Sequence, residues 1–500
     1  MASPSPNSPR LLSGASPAEV ELLALSPLDG RYAYRVSCLR SSLSEYSLIE
    51  KRAFVMTEWL VRLASHPAIH KNPAKQAGDP LFFPHLSEDG VALMRTLGAF
   101  SLVDAVKVKE VEKKTNHDLK AVEYILKEKL ACSEETAPLA AFTHFGCTSE
   151  DVNNLAWALS FKQAVESHIL PCMESLADIL HRLAGEFADV PLLSRTHGQA
   201  ATPTTFGKEM ANFEWRMRNA LRKIRDVEFR GKCNGAVGNF NALVIADREV
   251  DWPLVAKDMI EGLGLVYQPY STQIEQHDWL AELCHAVARF NSILLDLDRD
   301  LWLYISRDLL KLRVVPGEVG SSTMPHKVNP IDFENSEGNL QLANALLQFF
   351  SAKFPVSRLQ RDLSDTTVLR NVGVALGHSL VAYESTKKGL NRVDVNRVQM
   401  LKELDENWAV LAEPVQTLLR KMGVKDAYEK LKTATRGQSI TQDRMKEIIQ
   451  SCRNDLPPRD AACLEALTPA TYTGLASDLA TKVVETVQEE EERRTKMKTA

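Results

Sequence analysis

The 500-residue sequence lacks the features that mark several classes of protein. It contains no run of roughly 18 apolar residues and no charged segment followed by an apolar one at its start, so neither a membrane span nor a secretory signal is predicted. The net charge is only −5, with Lys and Arg interleaved among Asp and Glu, which argues against a nucleic-acid or anionic-lipid partner. The eight cysteines form no CxxC pair. They are therefore expected to be reduced thiols in a soluble, cytoplasmic protein.

Signatures of metal and nucleoside-triphosphate sites are also missing. No HExxH motif or closely spaced His/Cys set occurs, so neither a metal ion nor another cofactor is expected. The segment Pro316–Pro330 has the glycines of a phosphate loop, but His326 precedes Lys327 where a Walker motif requires glycine. A Walker site is therefore excluded.

The N-terminal part of the sequence differs in composition from the rest. Residues 1–22 begin with a stretch rich in Ser and Pro that has little to bury, which predicts a disordered leader. A plastid or mitochondrial transit peptide is the alternative, because Arg10 is the only basic residue and no acidic residue precedes Glu19. In that case the location would be a plastid rather than the cytoplasm.

Most of the remaining chain has the periodicity of α-helices. The strongest pattern alternates three and four residues apart: Leu280, Leu283, Val287, Phe290, Leu294, Leu297, Leu301 and Tyr304. It predicts one helix over residues 275–310, on the order of 54 Å long at 1.5 Å per residue. A second helix is predicted to begin at Pro203, and two more begin near Asp151 and Glu334.

These patterns predict an all-α fold with three helical regions. The expected boundaries are 23–136 for an N-terminal helical domain, 137–390 for a central bundle of very long helices, and 391–500 for a C-terminal helical domain. A plain coiled coil is the alternative, but the polar islands rich in Gly and Pro between the helices argue against a rod.

Two of these islands carry groups suited to proton transfer. The loop of residues 316–330 combines glycines with three prolines, as in mobile loops that close over substrates. In this loop Ser321 and Lys327 could stabilise an alkoxide and a carboxylate, although an isolated Ser-Lys pair is more often a solvated surface. His197, within Ser194–Gln199, has the side chain best matched to proton transfer near neutral pH.

The islands resemble known motifs. GSSTMPHKVNP is similar to the GSSxMPxKxN loop of the fumarase/aspartase superfamily, and SRTHGQAATP is similar to the SRTHGQPATP segment of the adenylosuccinate lyases of bacterial and plant type. Segments at residues 26–32, 115–123, 147–154 and 361–371 resemble the same family, so that the likeness runs from about Leu25 to Gly474.

The resemblance implies roles for individual residues. The implied catalytic residues are His197, Ser321, His117 and Lys327, with Ser321 chosen over Ser322 by the motif. The implied phosphate ligands are Arg31, Arg361, Thr366 and Arg370, and the two later arginines can present planar forks to phosphate oxygens. The implied carboxylate ligands are Thr148, Ser149, Gln273, Lys327 and Asn329, and the further substrate-binding residues are Tyr32, Asn116, His117, Asp118 and Asn335. Thr148 and Ser149 precede an apolar-periodic run, so helix capping is an equally good interpretation of that pair.

The resemblance also implies an activity. Lyases of this kind release fumarate by β-elimination, from adenylosuccinate to give AMP and from SAICAR to give the aminoimidazole carboxamide ribotide AICAR. The partner is then a small nucleotide substrate, and a homotetramer with sites shared between subunits is implied. The alternatives are another lyase of the superfamily, such as argininosuccinate lyase, fumarase or aspartase, and a catalytically silent helical scaffold.

Overall fold

The computed structural model describes residues 17–70, 83–317, 323–324, 326–435 and 440–499. Residues 1–16 of the predicted leader lie outside this part of the chain, and residues 17–22 form a short helix. No helix in the described residues is both long and apolar enough to cross a membrane.

Helices dominate the described part of the chain. Their bounds are α1 (Pro17–Leu22), α2 (Ala33–Val36), α3 (Arg40–Leu43), α4 (Glu45–Ser65), α5 (Glu88–Gly98), α6 (Leu102–Thr115), α7 (Asp118–Leu130), α8 (Ser149–Ala164), α9 (Leu170–Glu186), α10 (Phe206–Arg225), α11 (Asn241–Ala246), α12 (Trp252–Gly262), α13 (Asp278–Ser306), α14 (Ile331–Lys353), α15 (Ser364–Leu369), α16 (Val372–Leu390), α17 (Arg397–Asp405), α18 (Ala412–Lys421), α19 (Ala427–Thr435), α20 (Gln442–Ser451), α21 (Pro458–Ala466) and α22 (Ala476–Thr499). The predicted all-α class is confirmed.

In the described part of the chain the strands are short and form four separate pairs. Three pairs are antiparallel and one, β5 with β6, is parallel. Their bounds are β1 (Pro191–Leu192), β2 (Arg195–Thr196), β3 (Gln199–Ala200), β4 (Thr204–Thr205), β5 (Arg230–Gly231), β6 (Val266–Tyr267), β7 (Leu310–Leu312) and β8 (Val393–Val395), paired as β1 with β4, β2 with β3, β5 with β6 and β7 with β8.

The predicted apolar seam lies on α13, the longest helix described. Seven of its eight residues, all except Tyr304, are at most 1% exposed. The helix is shorter than the predicted 275–310, however, because His277 and Asp308 both have left-handed backbone angles, with φ of 60°. Its 29 residues span about 44 Å at 1.5 Å per residue.

The helix predicted at Pro203 begins three residues later, at Phe206. Thr204 and Thr205 instead pair with Leu192 and Pro191 as strand β4. The stretches predicted near Asp151 and Glu334 correspond to α8 and α14, which begin at Ser149 and Ile331.

The chain divides into two compact units. The first comprises Met1–Cys172, Arg222–Asn291 and Asn339–Val381, and the second comprises Met173–Leu221, Ser292–Gly338 and Ala382–Ala500. This division cuts through long helices and differs in kind from the three regions expected from sequence, whose boundaries stay a prediction.

Each unit has its own packing. In the first, α4 begins at the N-cap Ser44, whose hydroxyl accepts a hydrogen bond from Ser47 N–H, and packs its buried face against α8. In the second, residues 408–464 enclose an apolar cluster around Leu411, Val415 and Met445, each fully buried.

Candidate active site

The turn between α6 and α7 presents His117. Asn116 ends α6 in the left-handed conformation, with φ of 51°, and His117 is the N-cap of α7. His117 Nδ1 accepts a hydrogen bond from the backbone N–H of Lys120 at 3.2 Å. That bond requires an unprotonated Nδ1, so in the neutral ring Nε2 carries the proton and is the available donor. The side chain is 53% exposed.

Asp118, the first residue of α7, binds two arginines. Its Oδ2 lies 2.8 Å from Arg52 Nη2 and 3.3 Å from Arg370 Nη2. Partial burial would raise the pKa of Asp118, but the two guanidinium groups and the Leu119 N–H lower it to about 2. Asp118 is therefore a carboxylate at any physiological pH and holds Arg370 in place.

Arg361 is the centre of a second group of contacts. Its Nη2 lies 3.0 Å from Glu150 Oε1 and 3.4 Å from Thr366 Oγ1, and its Nη1 donates to Gln273 Oε1 at 3.4 Å. Glu150 is only 3% exposed. Two predicted residues, Gln273 and Thr366, thus meet at the guanidinium group of Arg361.

Asn153 joins the two groups. Its Nδ2 donates to Glu150 Oε1 at 2.8 Å, and its Oδ1 accepts from Arg52 Nε at 2.9 Å. We call the connected set the arginine network, whose members are Arg370, Asp118, Arg52, Asn153, Glu150, Arg361, Gln273 and Thr366. All of its residues belong to the first unit.

The start of α8 is fixed by Asp151. Its carboxylate accepts from Thr148 N–H at 2.8 Å and from the N–H groups of Asn234 and Gly235 at 3.0 Å, and it lies 2.8 Å from Lys232 Nζ. Asp151 and Lys232 are both buried. Thr148 is the N-cap residue of α8 and Ser149 its first residue, as the capping interpretation predicted. Because a helix N-terminus attracts anions, this position also fits the predicted carboxylate ligands.

Asp151 also belongs to a group of potential metal ligands. Its carboxylate and the thiols of Cys147 and Cys233 lie within 4.8 Å of one another. Oδ1 already accepts from the Asn234 N–H and the Lys232 ammonium, and Oδ2 accepts from the N–H groups of Thr148 and Gly235. A second cation would have to displace that ammonium, so these residues fit a metal ion poorly.

Arg31 and Tyr32 lie in the turn before α2. Arg31 is exposed, and the Tyr32 N–H donates to Pro27 O at 2.8 Å. A cavity of about 350 Å³ is lined by residues between 26 and 45, including Asp29, and by residues between 370 and 377, including Arg370. The cavity therefore borders both the N-terminal motif and one of the predicted phosphate ligands.

His197 lies at the tip of a two-residue hairpin in the second unit. Strands β2 and β3 pair Thr196 with Gln199, and the turn residues His197 and Gly198 have φ of 51° and 74°. Positive φ at both positions is the geometry of a type I′ turn. The turn leaves His197 exposed.

The other predicted residues of the second unit belong to the Gly/Pro-rich loop of residues 316–330 or to α14, which follows it. Ser321 lies outside the described residues, as does Ser322. Lys327 is exposed, and its N–H donates to Met324 O at 3.0 Å. Asn329 is partly buried, and Asn335 on α14 accepts a hydrogen bond from the Ser385 hydroxyl at 2.8 Å.

Sequence reasoning missed three members of the arginine network. Glu150 and Asn153 lie within a recognised motif but were given no role, and Arg52 was not singled out at all. A signal for Arg52 was present, because it falls on the apolar stripe of α4 between Leu48 and Met56. A charged residue on such a stripe needs a buried partner.

Comparisons with known proteins fit this geometry. The "Lyase" family model matches residues 30–345, and the "Adenylosuccinate lyase C-terminal" model matches residues 357–473. The chain is 51% identical to the adenylosuccinate lyase of Escherichia coli (strain K12) over 91% of this chain and 97% of that protein. It is 48% identical to the adenylosuccinate lyase of Haemophilus influenzae (strain ATCC 51907 / DSM 11121 / KW20 / Rd), over 92% and 99%.

A solved structure supports the fold. The 3-carboxy-cis,cis-muconate lactonizing enzyme from Pseudomonas putida superimposes with a TM-score of 0.67 at 21% identity, covering 91% of this chain and 97% of its own. The family resemblance inferred from the motifs is confirmed, and with it the conclusion that the chain is a lyase. The chain belongs to the adenylosuccinate lyase family.

Proposed function

We propose that this chain cleaves adenylosuccinate to AMP and fumarate, and SAICAR to AICAR and fumarate, in purine nucleotide synthesis. The observation that carries the proposal is the arginine network, which joins Arg361 and Arg370 beside Thr366. Both arginines suit a phosphate, which adenylosuccinate has and which argininosuccinate, malate and aspartate lack. Relatives about 50% identical over nine-tenths of the chain carry the same name.

The substrate has an anionic group at each end. Arg31, Arg361, Thr366 and Arg370 bind the nucleotide phosphate, and Tyr32 is a further substrate-binding residue. The succinyl carboxylates are bound by Thr148, Ser149, Gln273, Lys327 and Asn329, and the rest of the substrate is positioned by Asn116, His117, Asp118 and Asn335. The contact of Thr366 with Arg361 supports the assignment of these two residues to the phosphate.

The reaction breaks one C–H bond and one C–N bond. The Ser321 alkoxide takes the β-proton of the succinyl group, and the carbanion charge spreads onto the carboxylate held by Lys327 and Asn329. The electron pair then forms the double bond of fumarate as the C–N bond breaks. His197 gives its proton to the leaving nitrogen, and no cofactor is required.

The test is absorbance-monitored cleavage by the purified chain. Adenylosuccinate and SAICAR should both be cleaved, whereas argininosuccinate and malate, offered at the same concentrations, should be inert. Cleavage of argininosuccinate alone would favour the alternative that the chain is an argininosuccinate lyase. No turnover of any of the four compounds would favour a catalytically silent scaffold.

Two variants test the proton-transfer roles. Ser321→Ala should lose the C–H cleavage step, with Ser322→Ala as the matched control in the same loop. His197→Asn should lose the proton donor while retaining the turn, because asparagine tolerates positive φ. Near-normal turnover in either variant would refute the role given to that residue.

A homotetramer with shared sites is part of the proposal. Long helices leave large apolar side chains exposed: Trp302 and Leu303 on α13 are 42% and 50% exposed, and Leu342 and Phe349 on α14 are 56% and 53% exposed. Such side chains suit contacts between subunits. Light scattering of the purified chain should give four times the monomer mass. The cytoplasmic location stays a prediction.

A further inference from the structure

Arg52 is the buried centre of the arginine network. It lies on α4 and is 2% exposed, yet it contacts α7 through Asp118 and α8 through Asn153. It is the one member of the network that lies on α4. Arg52 thus joins three helices of the first unit at one guanidinium group.

Two of the three predicted phosphate arginines, Arg370 and Arg361, are separated from Arg52 by one and two residues. On one side Asp118 Oδ2 is shared between Arg52 at 2.8 Å and Arg370 at 3.3 Å. On the other side Asn153 links Arg52 to Glu150, which lies 3.0 Å from Arg361. A displacement of Arg52 would therefore move the partners of both arginines.

The burial of Arg52 is difficult to explain by stability alone. Removing a cation from water costs several kcal/mol, which a pair recovers only when its hydrogen bonds are complete. Within the described residues, Arg52 Nη1 is buried without a hydrogen-bond partner. An apolar side chain of similar volume would fill the same space on the apolar stripe of α4 without that cost.

Charge balance gives Arg52 a clear effect on Arg370. With Arg52 present, the half-buried Asp118 carboxylate is neutralised from within the protein, and Arg370 is only its second cation. Without Arg52, Arg370 would be the arginine left to neutralise Asp118 and would be held more tightly by it. A phosphate would then compete with Asp118 for the same guanidinium group.

We infer that Arg52 is a positioning residue for the nucleotide phosphate: it takes the larger share of the Asp118 charge, which loosens the hold of Asp118 on Arg370, and through Asn153 it fixes the Glu150 carboxylate that positions Arg361, without itself touching the substrate. The inference rests on the proposed assignment of Arg361 and Arg370 to the phosphate.

The first test compares KM and kcat for adenylosuccinate in Arg52→Met and Arg52→Lys. Arg52→Met should raise KM on the order of tenfold, with kcat changed by less than about threefold, because binding rather than the chemical step is affected. Arg52→Lys should give an intermediate KM, because one ammonium can pair with Asp118 but does not reproduce the fork that also reaches Asn153. Arg52→Lys carries the test if Arg52→Met does not fold.

Arg95→Met is the matched control. Arg95 also binds α4, through Glu58 Oε1 at 2.7 Å and Oε2 at 2.9 Å, but it is not part of the arginine network. The Arg95→Met variant should have a lower melting temperature than the parent chain and the same KM. If the Arg52 variants, at matched melting temperature, have the KM of Arg95→Met, the inference is overturned.

A double-mutant cycle with Asp118→Asn tests the route of the effect. Because Asp118→Asn removes the charge that Arg52 neutralises, Arg52→Met should raise KM much less in that background. Equal effects in both backgrounds would contradict the route through Asp118. Arg370→Ala, measured in parallel, separates the two proposals. If the KM of Arg370→Ala is unchanged, the assignment of Arg370 to the phosphate fails. If the KM of Arg370→Ala is raised but the KM of Arg52→Met is that of the parent chain, only the inference about Arg52 is rejected.

Discussion

At the residue scale, His117 combines a structural contact with a chemical one. Nδ1 caps α7 by accepting the Lys120 N–H, and this leaves Nε2 as the donor toward solvent. Asparagine has a side-chain oxygen close to the position of Nδ1 but nothing at the position of Nε2. The two contacts can therefore be separated by substitution.

We predict that His117→Asn retains the stability of the protein and loses roughly 10- to 10²-fold in kcat/KM, because the Nε2 hydrogen bond that positions the substrate is lost and such a bond to a charged group contributes about 1.5–3 kcal/mol. His117→Ala should lose the same activity and about 1 kcal/mol of stability as well, because the cap is gone. Thermal melting and steady-state kinetics of both variants check this. A His117→Asn enzyme with normal kcat/KM would mean that His117 serves only as a cap.

Asp298 is a residue whose burial makes the stability of the protein depend on pH. It is fully buried on α13, accepts a hydrogen bond from the Thr386 hydroxyl at 2.8 Å, and has its pKa raised by burial to about 8. The folded state thus keeps a proton that the unfolded chain loses near pH 4. The contribution of Asp298 to the unfolding free energy therefore falls as pH rises from about 4 to about 8, by up to about 1.4 kcal/mol per pH unit.

Asp298→Asn should abolish that dependence, because an amide of the same shape does not titrate. The variant should gain stability relative to the parent chain between pH 5 and pH 8, measured by urea unfolding at several pH values. If the difference in unfolding free energy between the two proteins is the same at every pH in this range, Asp298 is already ionised in the folded protein.

At the element scale, the start of α8 depends on a buried ion pair. Lys232 and Asp151 are 0% and 1% exposed, and Asp151 also binds three backbone N–H groups around the Thr148 turn. Lys232→Met would leave the carboxylate buried without its cation. We predict a loss of about 3–5 kcal/mol in the free energy of unfolding.

Urea denaturation measures this loss. Lys257→Met is the control, since Lys257 forms an exposed pair with Glu261 and should change stability by no more than about 0.5 kcal/mol. The double variant Lys232→Met with Asp151→Asn should recover part of the loss, because no buried charge is left without a partner. A loss in Lys232→Met no larger than the control would contradict the account.

The elements also show what periodicity can and cannot predict. The apolar seam correctly predicted α13, and seven of its residues are buried, as the apolar stripe of a packed helix requires. The predicted bounds of 275–310 ran past both ends of the helix, because the left-handed backbone at His277 and Asp308 leaves no mark in an apolar pattern. Pro203 was likewise compatible with a helix start, but strand pairing of Thr204 and Thr205 took precedence.

At the scale of the whole molecule, the candidate site was predictable where motifs are long and unpredictable where a contact depends on tertiary packing. The motifs identified Asp118, Arg361 and Arg370, which the fold brings into one network from separate segments. Arg52 and Glu150 depend on how α4 packs against α7 and α8, and a single sequence does not contain that packing.

Shared sites can be tested on the whole assembly. His197→Asn and Ser321→Ala should each be inactive alone, but mixed subunits should recover about a quarter of the parent activity, if each site takes His197 and Ser321 from different chains that assort at random. Co-expression followed by activity measurement checks this prediction. Recovery near zero in a confirmed mixed assembly would place both groups on the same chain.

The hairpin at His197 has a practical consequence for mutagenesis. In a library of all substitutions at this position, two requirements would remove variants. One is the proton donation of the imidazole, and the other is the left-handed backbone, which disfavours β-branched side chains. Valine, isoleucine and threonine would fail there for conformational reasons alone. Depletion scores at position 197 therefore report on proton donation only among residues that the turn accepts, chiefly asparagine, aspartate and glycine.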